Sequence, residues 1–183
     1  AIRLRGSIGA DLAALGRVEE GLTWLRDTHR IATAKLGPDA IETIQIEANL
    51  AIACLRHGDD AAAEPLFEHA IEVRRRDHGE TSIALAVHLA NLSAVRMHLG
   101  RLDEAQRGIL DAIAMIQAVA GDDHIMAGRF RLNAAEIALR RGDRAAAEEQ
   151  ARAALTTLER YGDAAAVERD MAQHLLEQAV AHG

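Results

Sequence analysis

Aromatic side chains are scarce in this sequence: its 183 residues include two Phe, one Tyr and one Trp, or 2% of the chain. A compact globular core usually contains more of them, because large rings fill much of the space between packed elements. The hydrophobic content is nevertheless 49%, and it comes mainly from Ala, Leu and Ile. This composition favours closely packed helices over an ordinary globular core.

Cysteine and long apolar runs are lacking as well. Cys54 is the only cysteine, so the chain cannot form an internal disulfide, and a reducing compartment is expected. No apolar run approaches the roughly 20 residues that span a bilayer, and nothing at the N-terminus resembles a signal peptide. We therefore expect a cytoplasmic protein without a membrane partner.

Basic residues are outnumbered by acidic ones. The chain has 21 Lys and Arg against 28 Asp and Glu, a net charge of −7, which argues against nucleic acid because phosphate binding requires a basic surface. Lys35 is the only lysine, and this preference for Arg, with the abundance of Ala, suggests a bacterial source. The chain begins inside a helical pattern without Met or an N-cap, so we expect it to be part of a longer protein.

Patterns that carry catalytic or metal chemistry are missing. The sequence has no HExxH motif, no Gly-rich phosphate loop, no paired catalytic carboxylates and no Ser/His/Asp arrangement. Its histidines, such as His57, His69, His88 and His98, are spread over different predicted helices. We therefore expect no catalytic residue, no metal, no cofactor and no enzymatic activity.

Two series of glycines recur every 42 residues: Gly16, Gly58, Gly100 and Gly142, and midway between them Gly37, Gly79 and Gly121. In the fourth copy the second series is shifted to Gly162. A fixed period in this range is the signature of stacked repeats. Glycine just past a helix end can adopt the left-handed conformation that closes the last turn. The chain is therefore predicted to be one motif in four copies.

Each copy is predicted to contain two amphipathic helices. Asp39 is expected to be an N-cap with Glu42 three residues on, and Thr81, Asp123 and Asp163 are expected to serve likewise. Apolar residues at spacings of three and four predict one packing face along each first helix: Leu4/Ile8/Leu15, Ile46/Leu50/Ala53, Leu92/Val95/Leu99 and Phe130/Ala134/Ile137. The predicted helices span 1–15, 18–36, 39–57, 60–78, 81–99, 102–120, 123–141, 144–161 and 163–182.

The stretches 49–71 and 91–105 resemble tetratricopeptide repeats. The 42-residue period, longer than the usual 34 or so, and the linker from Leu36 to Asp39 resemble the kinesin-light-chain type. The resemblance implies an all-α fold, a right-handed α-solenoid of about four helix pairs plus a C-terminal capping helix. We expect a single repeat domain over 1–183, with repeats at about 1–37, 38–79, 80–121 and 122–162 and the capping helix at 163–182.

A third series keeps the same register: Asn49, Asn91 and Asn133, with Ser7 in the first copy. Asn is a poor residue for a helix interior, because its side chain competes for backbone hydrogen bonds. First helices line the concave surface in the resembled family, so the resemblance implies that these amides face a groove and hold a peptide backbone. An alternative is that each amide ties one helix to a carbonyl of the next repeat.

Residues on the same helical face as these asparagines complete a candidate peptide-binding set. The set is Gln45, Asn49, Arg56, Asn91, His98, Arg129, Asn133, Glu136 and Arg140. Its basic members, with Arg3, would favour an acidic segment or a C-terminal carboxylate as ligand. The alternative interpretation is that they are solvated charges on an exposed face.

The resemblance implies a protein–protein interaction module that binds a peptide or protein segment in the groove. One alternative is a regulatory domain of a larger kinase or transcription regulator, packed on its own catalytic partner. Another is a self-assembly scaffold. Gly6 and Gly9 lie within the first helix and each cost about 1 kcal/mol relative to Ala, so the N-terminal end is expected to fray or swap and could support a homodimer.

Overall fold

The computed structural model describes residues 1–78 and 81–181. Within these ranges the chain forms nine α-helices and one 3-10 helix, with no strand. The α-helices are α1 (Ile2–Ala14), α2 (Val18–Leu36), α3 (Ile41–His57), α4 (Asp60–His78), α5 (Ile83–His98), α6 (Leu102–Ala120), α7 (Ile125–Arg141), α8 (Arg144–Glu159) and α9 (Ala166–Val180). The 3-10 helix, Gly162–Ala165, directly precedes α9.

The chain divides into two compact units, Ala1–Glu80 and Thr81–Gly183, called here the N-terminal and C-terminal units. In the N-terminal unit α1 packs on α2 and α3, α2 also packs on α3, and α3 packs on α4. In the C-terminal unit α5 packs on α6 and α7, and α7 packs on α6, α8 and α9. The first helices of successive repeats are therefore in direct contact within each unit.

The predicted helices agree with the observed ones to within three residues at every end. All-α structure and the pairing of helices are confirmed. Gly79 and the predicted boundary between the second and third repeats lie outside the described residues. Among the described helices, none has the length and apolarity needed to cross a membrane.

The two glycine series close their helices in different ways. Gly58 has φ 81° and ψ 14°, the left-handed conformation, and its N–H bonds the Leu55 carbonyl at 3.1 Å. Gly37 has φ 93° and ψ 158°, a region that is almost restricted to glycine. The expected left-handed closure is thus confirmed at Gly58 and wrong at Gly37, where the chain turns directly into an extended linker.

The N-caps differ from the expectation by one to two residues. Ser82 and His124, not Thr81 and Asp123, accept the first helical N–H groups of α5 and α7, and α3 begins after Ala40 without a side-chain cap. Asp39 instead pairs with Arg76 and His69. The predicted cap at Asp163 is also wrong, since that residue lies inside the 3-10 helix.

The apolar face predicted for α1 is not buried. Leu4 is 67% exposed and Leu15 is 78% exposed, whereas Ile46, which matches Leu4 one repeat later, is buried. Ile46 is covered because α3 lies against α1, at Gly6. No helix of the described chain covers the corresponding face of α1, so that part of the prediction is wrong.

Glycines on both α1 and α2 allow these two helices to pack closely. A Cβ atom at Gly9 would lie 2.8 Å from Leu25 Cγ, and one at Gly21 would lie 2.7 Å from the Gly9 carbonyl oxygen. Neither distance is compatible with a side chain, so the approach of α1 to α2 requires both glycines. The sequence pattern indicates only the helix-weakening effect of Gly6 and Gly9 and does not predict this packing role.

Replacing Gly58 and Gly37 by Asn should give different losses of stability, because the two glycines have different backbone conformations. At both sites a Cβ atom would enter open space, so the cost is confined to the backbone. We expect Gly58→Asn to lose less than about 1 kcal/mol of unfolding free energy, because Asn tolerates the left-handed region. Gly37→Asn should lose about 1–3 kcal/mol. Urea unfolding of both variants measures the difference, and equal losses would contradict it.

Candidate functional site

The predicted residues of the N-terminal unit lie on two adjoining pockets. Gln45 and Asn49 line a pocket of about 510 Å³ between α1 and α3, called here the α1–α3 pocket. Asn49 also lines a neighbouring pocket of about 230 Å³, together with Arg56. These three residues are four and seven positions apart on α3, which places them on one helical face. The structure thus brings them together beside α1.

The three asparagines are half-buried and make no side-chain hydrogen bond within the described ranges. None of their amide atoms is buried without a partner either, so each amide keeps some exposure to solvent. The alternative in which each Asn bonds a carbonyl of the next repeat is not observed at Asn91 or Asn133, where the following helices belong to the same unit. Asn49, Asn91 and Asn133 keep their donors and acceptors available.

In the C-terminal unit two of the predicted cations are already paired. Arg129 donates to Glu168 of α9 at 2.7 Å, and Arg140 donates to Glu136, itself a predicted site residue, at 2.9 Å. His98 is the last residue of α5 and is exposed. The positive charge of Arg129 and Arg140, two members of the candidate peptide-binding set, is therefore largely compensated by neighbouring carboxylates.

In the N-terminal unit the compensation is less complete. Arg3 forms an ion pair with Glu42 at 2.5 Å, and its hydrogen bond lowers the pKa of that carboxyl group. Arg56 reaches only the Ala13 carbonyl at the end of α1, at 3.4 Å. No carboxylate of the described chain is paired with Arg56.

Arg74 of α4 is a site residue that the sequence patterns did not indicate. It lines the α1–α3 pocket, and its only hydrogen bond within the described ranges is a long one, 3.4 Å from Nη2 to Gln45 Oε1. Its Nε is buried without a partner there, and burial lowers the pKa of its guanidinium. Aligning the repeats on the 42-residue period would have indicated Arg74 as unusual. The matching residues in the other repeats, Ala32, Ile116 and Leu158, are all apolar.

A second polar cluster joins α3, α4 and the linker before α3. Glu47 is only 4% exposed, and its carboxylate lies 2.8 Å from His69 Nδ1. The other ring nitrogen of His69 lies 3.3 Å from Asp39 Oδ1, and His29 Nε2 lies 3.8 Å from Glu47. Because both ring nitrogens of His69 face carboxylates, both are best satisfied as donors, which requires the imidazolium form.

The pKa values in this cluster agree with its geometry. Burial alone would lower the pKa of His69, but hydrogen bonds to Glu47 and Asp39 outweigh burial and raise it above 6.5. The Arg76 guanidinium, with a smaller contribution from His69, lowers the pKa of Asp39. Across residues 1–78 and 81–181, no three His, Cys, Asp or Glu side chains are grouped as metal ligands.

The raised pKa of His69 predicts a pH-dependent stability. A histidine whose pKa is higher in the folded state stabilises the fold fully below its unfolded pKa of 6.5. This stabilisation is lost as the pH rises through the folded-state pKa. The free energy of unfolding should therefore fall between about pH 6 and about pH 8, and His69→Gln should reduce this fall. Urea unfolding at both pH values measures it, with His57→Gln, at an exposed histidine, as the matched control. An unchanged slope in His69→Gln would contradict the prediction.

Comparison with known proteins gives a consistent result. The family model described as tetratricopeptide repeat matches residues 1–76 and 82–160. None of the curated proteins compared with the sequence matches it.

Several solved structures are similar to most of the chain. The nearly identical TPR-like repeats attributed to a kinesin light chain of Podosopora anserina have a TM-score of 0.80 at 16% identity, covering 97% of this chain and 84% of that one. A single-substitution variant of the same protein has a TM-score of 0.81 at 17% identity, with the same coverage. BtubC (BKLC) from P. vanneervenii has a TM-score of 0.76 at 21% identity, covering 89% of this chain and 66% of that one. At these identities the similarity concerns the fold.

Proposed function

Because the chain belongs to the tetratricopeptide repeat family, whose repeats generally mediate protein–protein interaction, we propose that it binds a peptide segment of a partner along its first helices. The observation that carries the proposal is the set of half-buried amides at Asn49, Asn91 and Asn133 that make no hydrogen bond within the described residues. This fold is typically that of a scaffold without catalysis. Cys54 is a buried free thiol, in keeping with a cytoplasmic location.

The physical argument rests on unused hydrogen-bonding capacity. A side-chain amide offers two donors and an acceptor, which matches the alternating carbonyl and N–H groups of an extended peptide. Asn lowers helix propensity by several tenths of a kcal/mol relative to Ala. At Asn49, Asn91 and Asn133 no hydrogen bond within the described chain offsets this cost, so a ligand contact supplies the missing reason for the amides.

Charge supports an acidic segment or a C-terminal carboxylate as the ligand. In the N-terminal unit Arg56 lies beside Asn49 without a carboxylate partner among the described residues. In the C-terminal unit Glu136 and Glu168 neutralise Arg140 and Arg129. The amides of that unit should therefore contribute more to ligand binding than its charges. The acidic preference should accordingly depend mainly on the N-terminal unit.

The three asparagines provide the test. A peptide selected from a phage-displayed random library on the wild-type chain serves as the probe, and its Kd is measured by fluorescence polarisation. Replacing Asn49, Asn91 and Asn133 together by Ala should weaken binding by about tenfold or more, while thermal stability stays level or rises because Ala is the better helix former.

Gln150→Ala is the matched control, because it removes a half-buried amide from a second helix, α8. It should leave the Kd unchanged. A triple variant that loses stability but retains its affinity would contradict the proposal and restore a structural role for the asparagines.

A second candidate function, self-association through α1, is favoured by its uncovered apolar face. Leu4, Ile8 and Leu15 are exposed, whereas Ile46 and Leu50, which match Leu4 and Ile8 one repeat later, are buried. The α1 face thus has the character of a repeat-packing face, and the occupant we propose for it is a second copy of the chain. Apolar patches of this kind commonly mark interaction sites.

Light scattering across a concentration series tests this candidate. We expect a concentration-dependent dimer that becomes monomeric in Leu4→Glu/Ile8→Glu, because a charge would have to be buried at the interface. Val167→Glu, at an exposed apolar residue of α9, should leave the dimer intact. A wild-type monomer at every concentration would remove this candidate.

A further inference from the structure

Arg74 breaks the repeat pattern at a position where the other copies bury an apolar side chain. The matching residues, Ala32, Ile116 and Leu158, are all 0% exposed. An arginine here puts a positive charge in partly desolvated surroundings, which costs stability unless the charge is paired. Departures from an otherwise consistent pattern are expected at functional sites.

The acidic groups near Arg74 are engaged with other cations. Glu42, in the same pocket, pairs with Arg3 at 2.5 Å. Asp39 and Asp77 border a small cavity beside Arg74, and both pair with Arg76, at 2.9 and 2.7 Å. Within the described chain Arg74 is thus left with a buried Nε that has no partner and one long bond to Gln45.

The walls of the pocket suit a carboxylate on a short apolar stem. Its volume of about 510 Å³ lies in the usual range for ligand sites. Gly6, Ser7 and Ala10 of α1 keep one side open, and Ile41 and Ile46 of α3 supply an apolar wall. Besides Arg74 and the Arg3–Glu42 pair, the polar residues that line the pocket are Gln45, Asn49 and Ser7.

We propose that the α1–α3 pocket binds a carboxylate of the partner's peptide, either an acidic side chain or the C-terminus, with Arg74 as the binding cation. The guanidinium offers a planar fork of donors that matches a carboxylate. Asn49 and Gln45 donate to the same group or to the adjoining peptide bond. The inference rests on the proposed function and specifies where the acidic part of the ligand is held.

Four synthetic pentapeptides test the pocket by NMR titration of the labelled wild-type chain. Two have blocked ends and a central Glu or Gln among alanines. The other two are all-Ala, with a free or an amidated C-terminus. The side-chain amide signals of Gln45 and Asn49 report on the pocket. We expect at least one carboxylate peptide to bind about tenfold more tightly than its neutral counterpart, and the pair with the larger ratio identifies the source of the carboxylate.

Arg74→Leu restores the apolar residue found at this position in the fourth repeat. It should abolish the preference for carboxylate peptides while leaving the melting temperature unchanged or higher. Arg74→Gln, which keeps a polar side chain in the pocket, should lose the same preference. Arg75→Leu is the matched control: it removes an equal charge from the next, exposed residue of α4, and it should keep the preference.

The outcomes separate this inference from the proposed function. Equal binding of charged and neutral peptides, with shifts at Asn49, Asn91 and Asn133, would overturn the carboxylate pocket and leave peptide binding intact. Retention of the preference in both Arg74 variants, or strong destabilisation of both, would also overturn it, the latter by showing a structural role. No shift with any of the peptides would contradict both ideas.

Discussion

The close approach of the two helices within each repeat governs how the first helices of neighbouring repeats pack. Gly21, Ala63, Ala105 and Ala147 occupy the same register position on the second helices, and all four are buried. At Gly21 the helices are so close that even a Cβ atom would meet the backbone of α1. Small residues at this row bring each helix pair together, and the pairs then place their first helices in contact within each unit.

Most charged side chains discussed above are paired within the chain, whereas a few remain available to a ligand. Arg129 and Arg140 serve local ion pairs in the C-terminal unit. In the N-terminal unit, Glu47 is buried against His69, and Asp39 ties the linker to α4 through His69 and Arg76. The carboxylate that lines the α1–α3 pocket, Glu42, is paired with Arg3, and Arg74 has no carboxylate partner among the described residues. The acidic net charge of the chain therefore coexists with a pocket whose unpaired charge is positive, which fits an anionic group on a protein ligand better than a nucleic acid.

Local signals predicted the elements well, and long-range contacts explain where the predictions were wrong. Helix ends at Gly58 and Gly142 follow from a short-range requirement for a positive φ. Asp39 was expected to be an N-cap from its spacing to Glu42, but ion pairs with α4, which follows it in the chain, hold its side chain elsewhere. Leu4 and Leu15 carry the right apolar pattern for packing and are nevertheless exposed, since burial depends on a neighbouring helix and periodicity cannot supply one.

The repeat, its helices and the shared register of Asn49, Asn91 and Asn133 could be predicted from the sequence, because helical periodicity and glycine conformations are properties of residues close together in the chain. Which polar groups remain available to a ligand depends on how the helices pack. Arg129 is neutralised by Glu168, which lies 39 residues away in the chain, whereas Arg74 is left beside carboxylates that other arginines occupy. Pairing of charges depends on distances between helices, and those distances are set by the packing of small residues that brings the helices together.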